Sequence, residues 1–224
     1  MEKLRVKVCG ITREKDALLA CELGADAVGF IFYQKSPRCV TPEKASKIAK
    51  ELPEHVARVG VFVTPAKNEA EKIASTIGLD VLQIHGNFSP EGLTHFSDLP
   101  IVGAFNIDPQ FDFSRFEKYQ RVLSAFLLDG YKKGAYGGTG KTLDWRKASK
   151  AGVHGKVILA GGLSPQNIRT AVKQATPYAV DVNSGVESAP GIKDHEKLKQ
   201  LFEQIEAFRS DGSHAKPDEK FPLA

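Results

Sequence analysis

The chain has 224 residues, three cysteines and a formal net charge of +4, with 42% hydrophobic and 26% charged residues. Such a composition is ordinary for a globular protein large enough to bury one substantial core, and scattered Lys and Arg without interleaved aromatics argue against a nucleic-acid partner. No stretch has the apolar run of a signal peptide or a membrane span, and no cysteine pair has C-x-x-C spacing, so no membrane partner, no metal and a cytoplasmic setting with reduced thiols are expected.

The first apolar run, residues 4–9, alternates Leu4, Val6 and Val8 with Arg5 and Lys7 and stops at Cys9-Gly10. That is the period of a strand. A helical stretch at 13–23 leads to ADAVGFIF (25–32), and the loop QKSPRCV then carries Arg38. Thr41-Pro42-Glu43 opens a helix over 42–51, with a cap residue ahead of a proline at the first helical position. VARVGVFV (56–63), a helix at 66–77 and LDVLQIH (79–85) follow, ending on His85. Ser89-Pro90-Glu91 starts a helix over 89–97, and PIVGAFN (100–106) ends on Asn106. After a helix at 112–120, VLSAFLLD (122–129) ends on Asp129. A helix at 144–150, KVILAGG (156–162), a helix at 165–174 behind Ser164-Pro165, and YAVDVNSG (178–185) complete the series. The last helix, 194–208, has Leu198, Leu201, Phe202, Ile205 and Phe208 at helical spacing.

Eight strand–helix units predict an α/β protein with a parallel sheet. In this length they suit a single closed (β/α)8 TIM barrel over residues 1–209 better than an open doubly wound sheet. Residues 210–224 are polar, hold two prolines and fit no unit, so a short disordered tail is expected there.

Ligand sites of such barrels lie at the C-terminal strand ends. Cys9, Arg38, His85, Asn106 and Asp129 occupy those positions. Cys9 is a small filler or a reactive thiol, and Asp129 a cap or a functional acid whose apolar approach raises its pKa. Arg38 is a solvated loop residue or a clamp for a carboxylate or phosphate. His85 and Asn106 line the pocket, His85 alternatively bonding a neighbouring strand. Asp181 points into the barrel or serves as a buried acceptor. Three glycine turns, GAYGGTGKT (134–142), AGGLS (160–164) and NSGVE (183–187), follow strands 6 to 8. Glycine lets backbone N–H groups approach an anion, so these turns predict a phosphate site built on Gly138, Gly140, Gly161, Gly162, Ser184 and Gly185. GGTGKT is no Walker loop, because Ala135 stands where its first glycine belongs.

KVCGIT (7–12), GFIF with SPR (36–38), RVGVFV, LQIHG, LLD, GGTGKTLDW, LAGGL and VDVNSGVE, in that order, resemble the phosphoribosylanthranilate isomerase family of tryptophan biosynthesis. The resemblance runs from residue 4 to about 208, departing only in detail, as at Ala160 and Asn183, where serine is frequent. It implies a (β/α)8 barrel that converts N-(5′-phosphoribosyl)anthranilate to 1-(o-carboxyphenylamino)-1-deoxyribulose 5-phosphate. That Amadori rearrangement is internally redox-neutral, so no cofactor is implied; the partner is the small phosphorylated sugar–anthranilate substrate, with monomer and homodimer both open. The resemblance makes Asp129 the general acid, Cys9 the general base, Arg38 the ligand of the anthranilate carboxylate and the glycine loops the phosphate site. The loop TPAKN after strand 3 lacks a second glycine pair, which argues against the histidine-pathway isomerase of the same fold. A non-catalytic sugar-phosphate-binding barrel, or another phosphosugar isomerase, is the alternative reading.

Overall fold

A computed structural model describes residues 4–96, 99–108, 110–130, 145–206, 208 and 221. Eight parallel strands close a ring in chain order: β1 (Arg5–Val8), β2 (Ala27–Ile31), β3 (Ala57–Val63), β4 (Val81–His85), β5 (Ile101–Ile107), β6 (Ala125–Gly130), β7 (Val157–Leu159) and β8 (Ala179–Val182). β8 pairs with β1, placing Lys7 opposite Asp181. Closure leaves no edge strand, and the expected (β/α)8 barrel is the architecture observed. Between the strands run α1 (Glu14–Glu22), α2 (Pro42–Lys50), α3 (Lys67–Ile77), α4 (Pro90–Leu93), α5 (Trp145–Ala148), α6 (Ile168–Ala175) and α7 (His195–Glu206). A short antiparallel hairpin, β9 (Glu187–Ala189) with β10 (Ile192–Lys193), precedes α7. No helix among the described residues is long and apolar enough to cross a membrane.

A closed barrel buries both faces of every strand, and the period-2 alternation sorts residues between two cores. Val6, Val8, Val28, Phe30, Leu82, Ile84, Phe126, Leu128, Val180 and Val182 pack toward the helices. Ala27, Ala57, Val59, Val81, Val102, Ala125, Leu127, Ile158 and Ala179 fill the lumen. The alternation of β1 therefore has an outcome that the pattern alone hides. Its polar face does not meet solvent: Arg5 is 6% exposed and Lys7 is 0% exposed.

Thr41 Oγ1 accepts the Lys44 amide at 3.3 Å, and Ser89 Oγ accepts the Gly92 amide at 3.2 Å, so two of the three expected caps form. The third differs. The Ser164 amide donates to Asn167 Oδ1 at 2.9 Å, and Asn167 Nδ2 donates to the Gly162 carbonyl at 2.8 Å. The chain is thereby held over Gly162, and α6 begins later, at Ile168. Three expected helices are also shorter. α4 is a single turn, and α5 passes at Ser149 into a 3-10 turn. The stretch 112–120 becomes a 3-10 helix over Phe113–Tyr119. There Phe113, Phe116 and Tyr119 recur every three residues, the period of a 3-10 turn.

Of the expected tail, 210–224, only Phe221 is described. It is 2% exposed, belongs to the lumen cluster, and its ring centroid lies 6.3 Å from that of Tyr178, just before β8.

Candidate active site

Cys9 follows β1 directly, and its amide donates to the Val182 carbonyl at 2.8 Å. It is 4% exposed. Asp129 lies near the end of β6, three strand steps around the ring, and is also 4% exposed. Both line one cleft at the C-terminal mouth of the barrel, together with Arg38, Gln83, His85, Asp181 and the turns Gly161-Gly162 and Ser184-Gly185. The empty space of the cleft, with the open solvent at its mouth included, is about 720 Å³. The structure thus brings together Cys9, Arg38, His85, Asp129, Gly161, Gly162, Asp181, Ser184 and Gly185. Gly138 and Gly140 lie outside the described residues. Asn106, in register with Asp129, lines an adjoining cleft beside Phe105 and Arg115 that shares His85 with the first.

The electrostatics of the mouth follow from burial. Asp129 is pushed up to about 6, first by desolvation and then by the charge of Asp181, against one backbone hydrogen bond from Gly130. Its Oδ1 has no hydrogen-bond partner among the described residues. Gly161 runs at φ +85°, and a Cβ there would stand 2.8 Å from that same oxygen. The glycine is needed both for its left-handed backbone and for the close approach of the acid. His85 is pushed down to about 4 by burial and by Lys7, so the ring is neutral at physiological pH. Its Nε2 lies 2.9 Å from Gln83 Nε2, which can donate only to an unprotonated ring nitrogen. His85 therefore both lines the cleft and bonds a neighbour on its own strand.

Two ion-pair systems border the cleft. Lys7 Nζ meets Asp181 Oδ1 at 2.8 Å, with side chains 0% and 8% exposed. Burial works against the Lys7 charge, yet Asp181 and the Cys9 sulfur hold Lys7 above its ordinary value. Arg38 is bidentate to Glu187, Nε to Oε1 at 2.9 Å and Nη2 to Oε2 at 2.7 Å. Lys193 Nζ meets the same carboxylate at 3.1 Å and donates to Asn183 Oδ1 at 3.0 Å. Despite burial, Arg38 and Lys193 hold Glu187 below the usual carboxylate range. Cys39 is exposed, and Cys21 packs half-buried on the helix core, its thiol pushed up to about 11 by burial.

Lys7, Gln83, Glu187 and Lys193 were not among the expected site residues. A signal for the first two exists in retrospect: each precedes an expected site residue, Cys9 or His85, by two positions and so shares its strand face. Among the described residues no group of three or more His, Cys, Asp or Glu side chains could hold a metal ion.

The family model described as N-(5′phosphoribosyl)anthranilate (PRA) isomerase matches residues 6–204. The chain belongs to this family. An N-(5′-phosphoribosyl)anthranilate isomerase of Citrifermentans bemidjiense is 45% identical over 200 residues, covering 88% of this chain and 95% of the relative. The crystal structure of phosphoribosyl anthranilate isomerase from Thermotoga maritima is 40% identical with a TM-score of 0.85, covering 91% and 99% of the two chains. Another solved structure of such an isomerase, in complex with reduced 1-(o-carboxyphenylamino)-1-deoxyribulose 5-phosphate, is 37% identical with a TM-score of 0.81 over 91% of this chain and 99% of its own.

Proposed function

We propose that this isomerase of tryptophan biosynthesis converts N-(5′-phosphoribosyl)anthranilate to 1-(o-carboxyphenylamino)-1-deoxyribulose 5-phosphate with Asp129 as general acid and Cys9 as general base. The observation that carries the assignment is one cleft lined by a buried acid, a buried thiol and the glycine turns after β7 and β8. Asp129, titrating near 6, holds its proton better than an ordinary carboxyl. It protonates the furanose ring oxygen as the C1′–O bond breaks and the anilino nitrogen lone pair forms the protonated Schiff base. Cys9 then removes the C2′ proton, and the electrons of that C–H bond neutralise the iminium to give an enolamine. Protonation at C1′ and loss of the enol proton complete the ketone, with no net redox change.

Arg38 binds the anthranilate carboxylate through the guanidinium edge that Glu187 leaves open: Nη1 has no hydrogen-bond partner among the described residues. Backbone amides of Gly161, Gly162, Ser184 and Gly185 receive the phosphate, and His85, Gln83 and Asp181 line the wall between. A non-catalytic sugar-phosphate barrel would have no use for an acid and a thiol facing one cleft. The deciding measurement is the loss of substrate anthranilate fluorescence on adding protein, paired with rescue of a tryptophan auxotroph lacking this isomerase. Absence of both refutes the activity.

A further inference from the structure

Lys7 has no task in the isomerisation proposed above. It stands on the lumen face of β1, two residues before Cys9, and is fully buried. A buried ammonium is costly unless paired, and an apolar residue of similar volume would fill the space more cheaply. The lumen is nevertheless built around it. Asp181, its cross-strand partner in the β8–β1 register, touches it at 2.8 Å. Residue 29 on β2 is glycine, and a Cβ there would lie 3.1 Å from Lys7 Nζ and 2.8 Å from Cys9 Sγ. Both groups occupy the space that this missing side chain leaves.

Three charges act on the Cys9 sulfur: Lys7 from β1, Asp181 from β8 and Lys193 from β10. Around them, His85 from β4 faces Lys7 and is neutral, Asp129 from β6 faces Asp181, and Arg38 and Glu187 face Lys193. Burial is the largest influence and leaves the thiol above its ordinary value; of the groups opposing it, Lys7 acts most strongly.

We propose that Lys7 is a positioning residue whose fixed ammonium, anchored by Asp181, stabilises the Cys9 thiolate as it forms in the barrel lumen. The inference rests on Cys9 being the base, and it adds the reason why a thiol in so dry a place can act as one.

The test uses the full chain carrying Cys21→Ser and Cys39→Ser, so that Cys9 is the sole thiol. Lys7→Met is expected to slow iodoacetamide alkylation of Cys9 at pH 7.5 by roughly tenfold or more, the equivalent of one pH unit. It should also move the midpoint of the rate–pH curve upward and lower kcat with little change in KM. Lys7→Met leaves Asp181 without its partner and can compromise folding. Lys7→Met/Asp181→Asn removes both charges and is expected to move the midpoint in the same direction. An alkylation curve that overlays the parent's in either folded variant overturns the role. Turnover retained by Cys9→Ala refutes the base assignment instead and leaves the alkylation result standing on its own.

Discussion

The floor and the mouth of the lumen are lined by the same strands, only a few residues apart, yet they are chemically opposite. The floor is Ala27, Ala57, Val59, Val81, Val102, Ala125, Ile158 and Ala179, with Phe221 buried among them and Arg5, in register with Ala179, carrying a charge at its edge. One or two inward positions further along, the same strands present Lys7, Cys9, Gln83, His85, Asp129 and Asp181. The difference teaches how the site acquires its chemistry. A dry floor forces the polar groups above it to settle their charges with one another. Asp129 rises to about 6, His85 falls to about 4, and Lys7 keeps its charge through Asp181. On a sheet face open to water the same groups would be solvated and their pKa values closer to ordinary.

If the mouth carries rate and the floor carries stability, substitutions should separate the two. The largest effect is expected at the mouth: Cys9→Ala and Asp129→Asn should each lower kcat by ~10²–10⁴-fold, the usual contribution of a positioned acid or base. The unfolding transition should stay cooperative. Turnover within threefold of the parent for either variant would remove that residue from the mechanism.

At the floor, Phe221→Ala should destabilise the fold by about 3 kcal/mol, the low end for a buried Phe, while kcat and KM stay put. Urea unfolding and steady-state kinetics on the same preparation decide it. An unchanged midpoint would mean that the ring seals nothing. A loss of activity without loss of stability would break the division between floor and mouth.

Between the two lies the rim. Arg38→Ala should weaken binding of carboxylated ligands by ~1.5–3 kcal/mol, the range for a charge-assisted pair. Analogues lacking the carboxylate should lose much less. Equal losses would sink the carboxylate assignment and leave Arg38 as the structural partner of Glu187 and, through it, Lys193.

How much of this was legible in the sequence divides along the same line. Residues at strand ends were legible, because counting eight βα units places Cys9, Asp129 and the glycine turns at the mouth without knowledge of any contact. The inward charges were not. Arg5 and Lys7 alternate with Leu4, Val6 and Val8 just as solvent-facing residues would, and only ring closure turns that face inward. Glu187 and Lys193 sit in a hairpin whose sequence, ESAPGIK, carries no strand alternation that would bring them together. Phe221 stands out as an aromatic in a polar segment, but composition averages over the segment while burial is decided by one ring finding one hole.

The smallest expected effect tests the dry floor itself. Asp129 titrates near 6 in the fold, against about 4 in an unfolded chain. Between those values the folded state binds more protons than the unfolded state, so this group makes stability fall as pH rises from about 4 to about 6, and no further on either side. Two pH units correspond to at most ~3 kcal/mol, and water in the open cleft screens part of that, leaving about 1–2 kcal/mol. Asp129→Asn cannot ionise and lacks this fall. Relative to the parent, the variant should therefore gain about 1–2 kcal/mol on going from pH 4 to pH 7, even as it loses turnover. Urea midpoints at the two pH values, converted with a common slope, give the number. Parallel stability curves for parent and variant would show that Asp129 is solvated like an ordinary carboxylate, and that the dry floor does not reach the acid.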